Sequence, residues 1–318
     1  MNQVLKSRWR GELEEFLRFR RTNFTTDWPA ARLRRFDQFA AEHPDLPLPD
    51  AIVAWLKRDP TRYPSTVGYD LVAIRQFCRY RRRFDPNGFV PESPAPVPSS
   101  RSHFHPQILS QAQVKMLLQN IGELAGPPLR LARMRALLLV LYCTGLRIGE
   151  ALQLRLSDVD LRQRCFRIGP SKGRVRLVPF GHDLAAELDH YLHCRRRVGF
   201  RLTSQTPLFE REDGRADNLG NARRRFYTLF RRCGLRPTRG SGKGGLRVHD
   251  LRHVFAVHRL ERWYQAGRDP GPLLPWLSAY LGHADVLGTQ RYLRATPQIL
   301  SAASRKFRRS LAFDPAMP

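Results

Sequence analysis

His249-Asp250-Leu251-Arg252-His253-Val254-Phe255-Ala256 reads as the start of a helix whose first turn is polar and whose continuation is apolar. His249 and Arg252 stand three residues apart and so share one face. Alone, such a pair is as ordinary on an exposed basic surface as in a site. Further along comes Leu281-Gly282-His283-Ala284, in which Gly282 suits the left-handed stop of a helix. Tyr292 follows nine residues after His283. In the other direction, Leu129 to Tyr142 is a mostly apolar helical run that stops near Thr144-Gly145. Leu146-Arg147-Ile148-Gly149-Glu150-Ala151-Leu152 opens a second helix over about 147–154. The period then changes to two. Cys165-Phe166-Arg167-Ile168 and Val175-Arg176-Leu177-Val178-Pro179, joined through Gly169 to Arg174, predict a β-hairpin with Lys172 at its tip.

Outside this region the chain is mostly helical. Leu13, Phe16 and Leu17, then Leu33, Phe36 and Ala40, then Ile52, Trp55 and Leu56 recur at helical spacing. Val67 to Arg83 is a further helix, ending on Arg79-Tyr80-Arg81-Arg82-Arg83, either a solvated helix end or a phosphate contact. Residues 87–106 hold Pro91, Pro94, Pro96 and Pro98 among Ser and Gly and read as an extended linker. A second domain starts near Gln107, with Ser110 as a helix cap. Helices resume near Asp183, and Pro297 to Leu311 is amphipathic, with Ile299, Leu300, Ala303 and Phe307 on one face.

Composition limits the possible functions. With 55 Lys and Arg against 28 Asp and Glu, the 318-residue chain carries a net charge of +27. Residues 1–100 hold 17 basic and 12 acidic side chains, and the rest hold 38 and 16, so the excess is mainly C-terminal. Such an excess points to a polyanionic partner. The apolar run Ala136 to Cys143 is too short to span a bilayer, and the first residues carry no long apolar segment. The expected compartment is the cytoplasm, with no membrane partner. Cys78, Cys143, Cys165, Cys194 and Cys233 are odd in number and widely spaced, which predicts thiols rather than a disulfide framework or a zinc site.

Together and in this order, the Thr-Gly-Leu-Arg stretch, the hairpin Lys, His-x-x-Arg, Leu-Gly-His and the following Tyr resemble the tyrosine recombinase (phage integrase-type) family. The resemblance is close over about 107–300 and looser over the N-terminal helices. It implies a fold that is mainly α with a small antiparallel β-sheet, in two domains: a helical DNA core-binding domain over 1–86 and a catalytic domain over 107–318. It also implies the roles. Tyr292 is the nucleophile that forms a 3′-phosphotyrosine bond. Arg147 and Arg252 hold the non-bridging oxygens, Lys172 protonates the leaving 5′ oxygen, His249 is an acid or base, and His283 hydrogen-bonds the phosphate. Glu150 supports His249 or Arg147 from behind. Arg79, Arg81, Arg82, Arg83, Arg174 and Lys243 are candidate DNA contacts. No metal or cofactor is implied. The partners are double-stranded DNA sites and further copies of the chain, as a tetramer, with other recombinases as additional candidates.

The prolines of Tyr264 to Leu277 depart from the family pattern, and Leu293 to Pro297 looks more like transposon- or plasmid-borne members. Two other readings compete. A type IB topoisomerase shares the Tyr and Arg chemistry but usually carries Lys where His249 stands. A non-catalytic DNA-binding descendant is the other, and the intact six-residue set argues against it.

Overall fold

Four helices bury the apolar spacings of the N-terminal segment against one another: α1 (Arg10–Asn23), α2 (Ala30–Glu42), α3 (Leu48–Lys57) and α4 (Pro64–Arg81). Leu13, Phe16, Leu33, Phe36, Ile52, Trp55, Ile74 and Phe77 form the core. Phe36 meets Trp55 edge-on at 5.4 Å, the preferred aromatic geometry. α4 begins three residues before the expected Val67, because Pro64 occupies the first turn, where a missing N–H costs nothing. Buried Asp70 accepts hydrogen bonds from Arg32, Arg58 and Arg62. That arrangement satisfies a carboxylate that could not be left unpaired in the interior. Cys78 packs in the same core, and burial pushes its thiol up to about 12.

This computed structural model describes residues 5–23, 28–92, 106–171, 174–237, 245–283 and 286–290. The chain divides into two compact units, Met1–Phe104 and His105–Pro318. In the second, Ser110 caps α5 (Gln111–Gly122) in a reciprocal capping box: its hydroxyl accepts from the Gln113 N–H at 3.2 Å, and its own N–H donates to Gln113 Oε1 at 2.9 Å. α6 (Pro128–Thr144) is the buried helix, packing on α5, on α8 (His182–Arg197) and on α10 (Asp250–Gln265). α7 (Ile148–Gln153) and α9 (Leu219–Arg232) pack against each other.

The sheet is antiparallel in the order β1 (Val159–Asp160), β2 (Cys165–Ser171), β3 (Arg174–Pro179). The hairpin strands run longer than the sequence suggests. Gly169, Pro170 and Ser171 belong to β2, with a register irregularity between Ile168 and Ser171 that absorbs the proline. Phe166 and Ile168 of β2 and Val178 of β3 face the core, and Phe166 stands opposite Val178 and Ile168 opposite Arg176.

The proline-rich stretch 264–277 is the end of α10, a turn and the start of a further helix. Leu273 and Leu274 N–H groups donate to Pro270 O, and Pro275 sits in the first turn of α11 (Leu274–Leu281). A short α12 (Leu287–Gln290) follows. No helix among the described residues is long and apolar enough to cross a membrane.

α6 ends at Gly145, whose φ is +63° and whose added Cβ would lie 2.6 Å from Phe255 and 2.9 Å from Leu281. Both the left-handed backbone and the close approach demand glycine. Gly145→Ala should therefore cost about 1–3 kcal/mol, the range for overpacking a core. Urea unfolding at pH 7 measures it, and an unchanged midpoint would show that the ends of α6, α10 and α11 give way freely.

Candidate active site

The site is built where α11 stops. A helix end leaves several carbonyls without partners, and each must find a donor. Gly282, at φ +68°, turns the chain back so that its N–H donates to Ala279 O at 3.0 Å, and the His283 N–H donates to Ser278 O at 3.0 Å. The next three carbonyls are taken by three arginines from elsewhere in the chain. Arg176 Nε donates to Tyr280 O at 3.1 Å, Arg252 Nη2 to Leu281 O at 2.6 Å, and Arg147 Nη2 to Gly282 O at 3.4 Å. Cations at a helix C-terminus also face the negative end of its dipole.

Arg252 does this at two helix ends. It lies in the first turn of α10, is only 2% exposed, and also donates from Nη1 to Gly145 O, at 2.9 Å, just past the end of α6. Arg147 caps α7 and remains more open, its side chain 38% exposed. Its Nη1 donates to Glu150 Oε1 at 2.9 Å and its backbone N–H to Glu150 Oε2 at 2.9 Å. Arg176 Nη2 reaches the same Oε2, also at 2.9 Å. Burial alone would raise the Glu150 pKa, but the bonds from Arg176 and Arg147 outweigh it and hold the carboxyl below its ordinary range.

His249 precedes α10, and His253 meets its ring edge-on at 5.0 Å. Its pKa is pushed down to about 4, first by loss of solvation, then by the positive charges of Arg252, Arg247 and Arg147, against a small opposing pull from Asp250. The residue still presents surface to solvent. The three guanidiniums therefore support the direction of the shift where partial hydration weakens the effect of burial. At neutral pH His249 is an uncharged imidazole. His283, carried out of the α11 turn, hydrogen-bonds Thr289 through Nδ1 at 2.7 Å. Arg247 clasps Asp250 through both Nε and Nη2. Arg147, Arg176 and Arg252 thus converge beside Glu150, with His249 and the Arg247–Asp250 pair at the start of α10, and the excess positive charge suits a phosphate.

The phage integrase family profile matches residues 107–298. The protein named "Putative integrase/recombinase y4rB" of Sinorhizobium fredii is 37% identical over 265 residues, 81% of this chain and 82% of its own length. The chain belongs to the phage integrase family. The tyrosine recombinase XerD of Pseudomonas putida is 31% identical over 276 residues, covering 82% and 83% of the two chains. Among solved structures, the XerH site-specific recombinase bound to its palindromic difH substrate shares the fold, with TM-score 0.64 and 18% identity over 96% of this chain and 91% of that one. The mainly helical fold with a small antiparallel sheet is that of the tyrosine recombinases.

Of the residues singled out from the sequence of this integrase-family chain, the structure brings Arg147, Glu150, His249, Arg252 and His283 to one place. Glu150 bonds Arg147, the second of its two expected partners. Lys172, Lys243, Tyr292 and the 297–311 segment lie outside the described residues, and of Arg174 only the backbone at the start of β3 is described. In the N-terminal unit Arg81 pairs with Glu12 at 2.5 Å, Arg82 donates to Gly88 O, and Arg83 lies over the Phe19 ring at 5.0 Å. Arg79 is exposed.

Sequence reasoning did not find Arg176. The signal present was an arginine two residues before Val178, on the same face of a half-buried strand. Tyr280 was not singled out either. Its hydroxyl is committed to Pro179 O at 2.8 Å, and burial pushes its pKa up.

The low pKa of His249 has a sign that can be checked. The unfolded chain takes up a proton near the ordinary value of about 6.5, whereas the folded chain does so only near 4. Between these values the unfolded state binds more protons, so stability falls as pH drops through this window. Unfolding of the wild type at pH 7 and pH 5, compared with His249→Gln, isolates that component, which the variant should lack. Arg147→Ala should move the His249 midpoint upward in an NMR titration, and no movement would place Arg147 away from the ring.

Proposed function

We propose that this chain is a site-specific DNA recombinase that cuts and rejoins strands through a 3′-phosphotyrosine intermediate. The observation that carries the reading is the meeting of Arg147, Arg252, His249 and His283 at the ends of α6 and α11, in a chain of the integrase family. In the proposed step the Tyr292 oxygen attacks the scissile phosphorus while the bond to the 5′ oxygen breaks. Arg147 and Arg252 hold the non-bridging oxygens, where charge gathers in the transition state. His283 hydrogen-bonds the same phosphate. A neutral His249 is able to accept the tyrosine proton, and Lys172 supplies one to the departing 5′ oxygen. The phosphotyrosine conserves the energy of the broken ester, so a 5′-hydroxyl from another strand reverses the step and exchanges partners without a nucleotide cofactor. Exchange between two sites requires four such events, hence a tetramer. The N-terminal helical unit serves as the core-binding domain, with Arg79, Arg82 and Arg83 toward DNA. That the XerH structure was solved on its difH substrate supports a duplex partner.

The test is incubation with nicked duplexes carrying repeats from the DNA flanking the gene, followed by a denaturing gel. Wild type should give a protease-sensitive covalent band, and Tyr292→Phe should give none while still binding the duplex. Adducts surviving in Tyr292→Phe would remove Tyr292 as the nucleophile. Relaxation of any supercoiled plasmid without a site would instead mark a topoisomerase, and tight binding without adducts a non-catalytic descendant. Affinity for the duplex should fall by about 10³-fold or more between 50 and 200 mM salt, as expected when many phosphate contacts release counterions. A flat response would contradict a basic DNA-binding face.

A further inference from the structure

We infer that Arg176 is a positioning residue for strand cleavage: it occupies one oxygen of Glu150 and so keeps that carboxylate from capturing Arg147. The inference rests on the strand-transfer reading above. Arg176 is held from two directions, by Tyr280 O through Nε and by Glu150 Oε2 through Nη2. It also lies close to Gly282, where an added Cβ would come within 2.7 Å of Nη1 and 2.8 Å of Cζ. The glycine that ends α11 is therefore also what lets this guanidinium in.

The arrangement around Glu150 decides what Arg147 can do. Oε1 takes one bond from the Arg147 guanidinium, and Oε2 is shared between the Arg147 backbone N–H and Arg176. Arg147 is consequently bound by a single side-chain bond to Glu150, not by the paired fork that arginine and carboxylate otherwise prefer. Its guanidinium keeps donors for a phosphate, since it carries five N–H groups in all. Without Arg176, Oε2 opens to the second Arg147 nitrogen, Nη2, which can exchange its long 3.4 Å bond to Gly282 O for the carboxylate. The fork can then close, and the charge intended for the phosphate is neutralised within the protein.

The strand register brings Arg176 to this place. Val175 and Leu177, the apolar neighbours of Arg176 on β3, are 60% and 66% exposed, while Arg176 occupies an inward position opposite Ile168. Phe166, Ile168 and Val178 fix that register, so packing delivers the Arg176 side chain to the inner face, where its guanidinium meets Glu150 and the end of α11. Arg176 therefore ties β3 to the Glu150–Arg147 pair. In sequence, it follows the candidate acid Lys172 by four residues.

The experiment is single-turnover cleavage of the nicked duplex by wild type, Arg176→Met, Arg176→Lys, Glu150→Gln and the Arg176→Met/Glu150→Gln double variant. Duplex affinity is measured across a salt series. Arg176→Met should cleave about 10²-fold more slowly, the scale of loss for a misplaced catalytic group. Its salt slope should stay unchanged, whereas loss of a direct phosphate contact would lower the slope by about 1. Arg176→Lys, which keeps the charge without the fork, should fall between. The deciding result is the double variant: removing the Glu150 charge should restore part of the rate lost in Arg176→Met. Additive losses, a wild-type rate in Arg176→Met or a reduced salt slope would overturn the inference.

A wild-type protein that forms no adduct on any duplex would overturn the strand-transfer reading instead. Arg176 is then judged without DNA, by carbon-13 NMR titration of the Glu150 carboxyl. A midpoint that rises in Arg176→Met upholds its control of Glu150, and an unmoved midpoint overturns it.

Discussion

The arrangement of this site depends on how the last carbonyls of α11 are answered. Two are closed by the chain's own turn at Gly282 and His283, and three by arginines from β3, α10 and the start of α7. Those arginines are separated from the helix end by 104, 29 and 135 residues. One short helix end thus gathers the parts of the chain that hold the candidate chemistry. Each bond is modest in net stability, since water would otherwise make it, but an unanswered buried carbonyl is expensive. Satisfying the helix and assembling the cationic cluster are one event, and the second is obtained through the first.

The electrostatics follow from that geometry. Like charges crowd only when something holds them. Here carbonyl dipoles and the carboxylates of Glu150 and Asp250 do so, and the positive charge that remains adds to the loss of solvation that lowers the His249 pKa. Under the proposed strand transfer, a bound phosphate would offset part of this positive field and lower the cost of a proton on the imidazole, which would couple the charge state of the histidine to occupancy of the site. The rest of the positive charge is spread over both units and suits long-range attraction of a polyanion better than any particular contact.

Much of this was legible in the residues. Helical spacing in the N-terminal unit, the Ser110 cap and the glycine stops at 145 and 282 are local features, and local chemistry decides them. Arg147, Glu150, His249, Arg252 and His283 stood out as a set, though no spacing by itself placed them together. Arg176 did not, for two physical reasons. Its acceptors are a carboxylate and a backbone carbonyl far away in sequence, and a carbonyl has no residue-type signature. The alternation Val175-Arg176-Leu177 also suggests the opposite face, and it is overridden because Phe166, Ile168 and Val178 fix the register of the whole hairpin. The edges of the hairpin were misjudged for a related reason: pairing carries β2 through Pro170, where a proline ordinarily signals a turn.

That the acceptors at the end of α11 are main-chain atoms has an evolutionary consequence. Any amino acid at 280 or 281 that keeps the helix still offers the same oxygen to Arg176 or Arg252. The oxygens thus set no side-chain requirement at 280 and 281, where only buried Leu281 and the Tyr280 hydroxyl on Pro179 O do, whereas Gly282 is held by its left-handed φ and its closeness to Arg176. Homologous chains should therefore accept any packing-compatible change in the letters that receive the arginines and remain fixed in the letters that send them. The lineage is left room to reshape the outer surface of α11, where Trp276 is 73% exposed, without disturbing the interior arrangement.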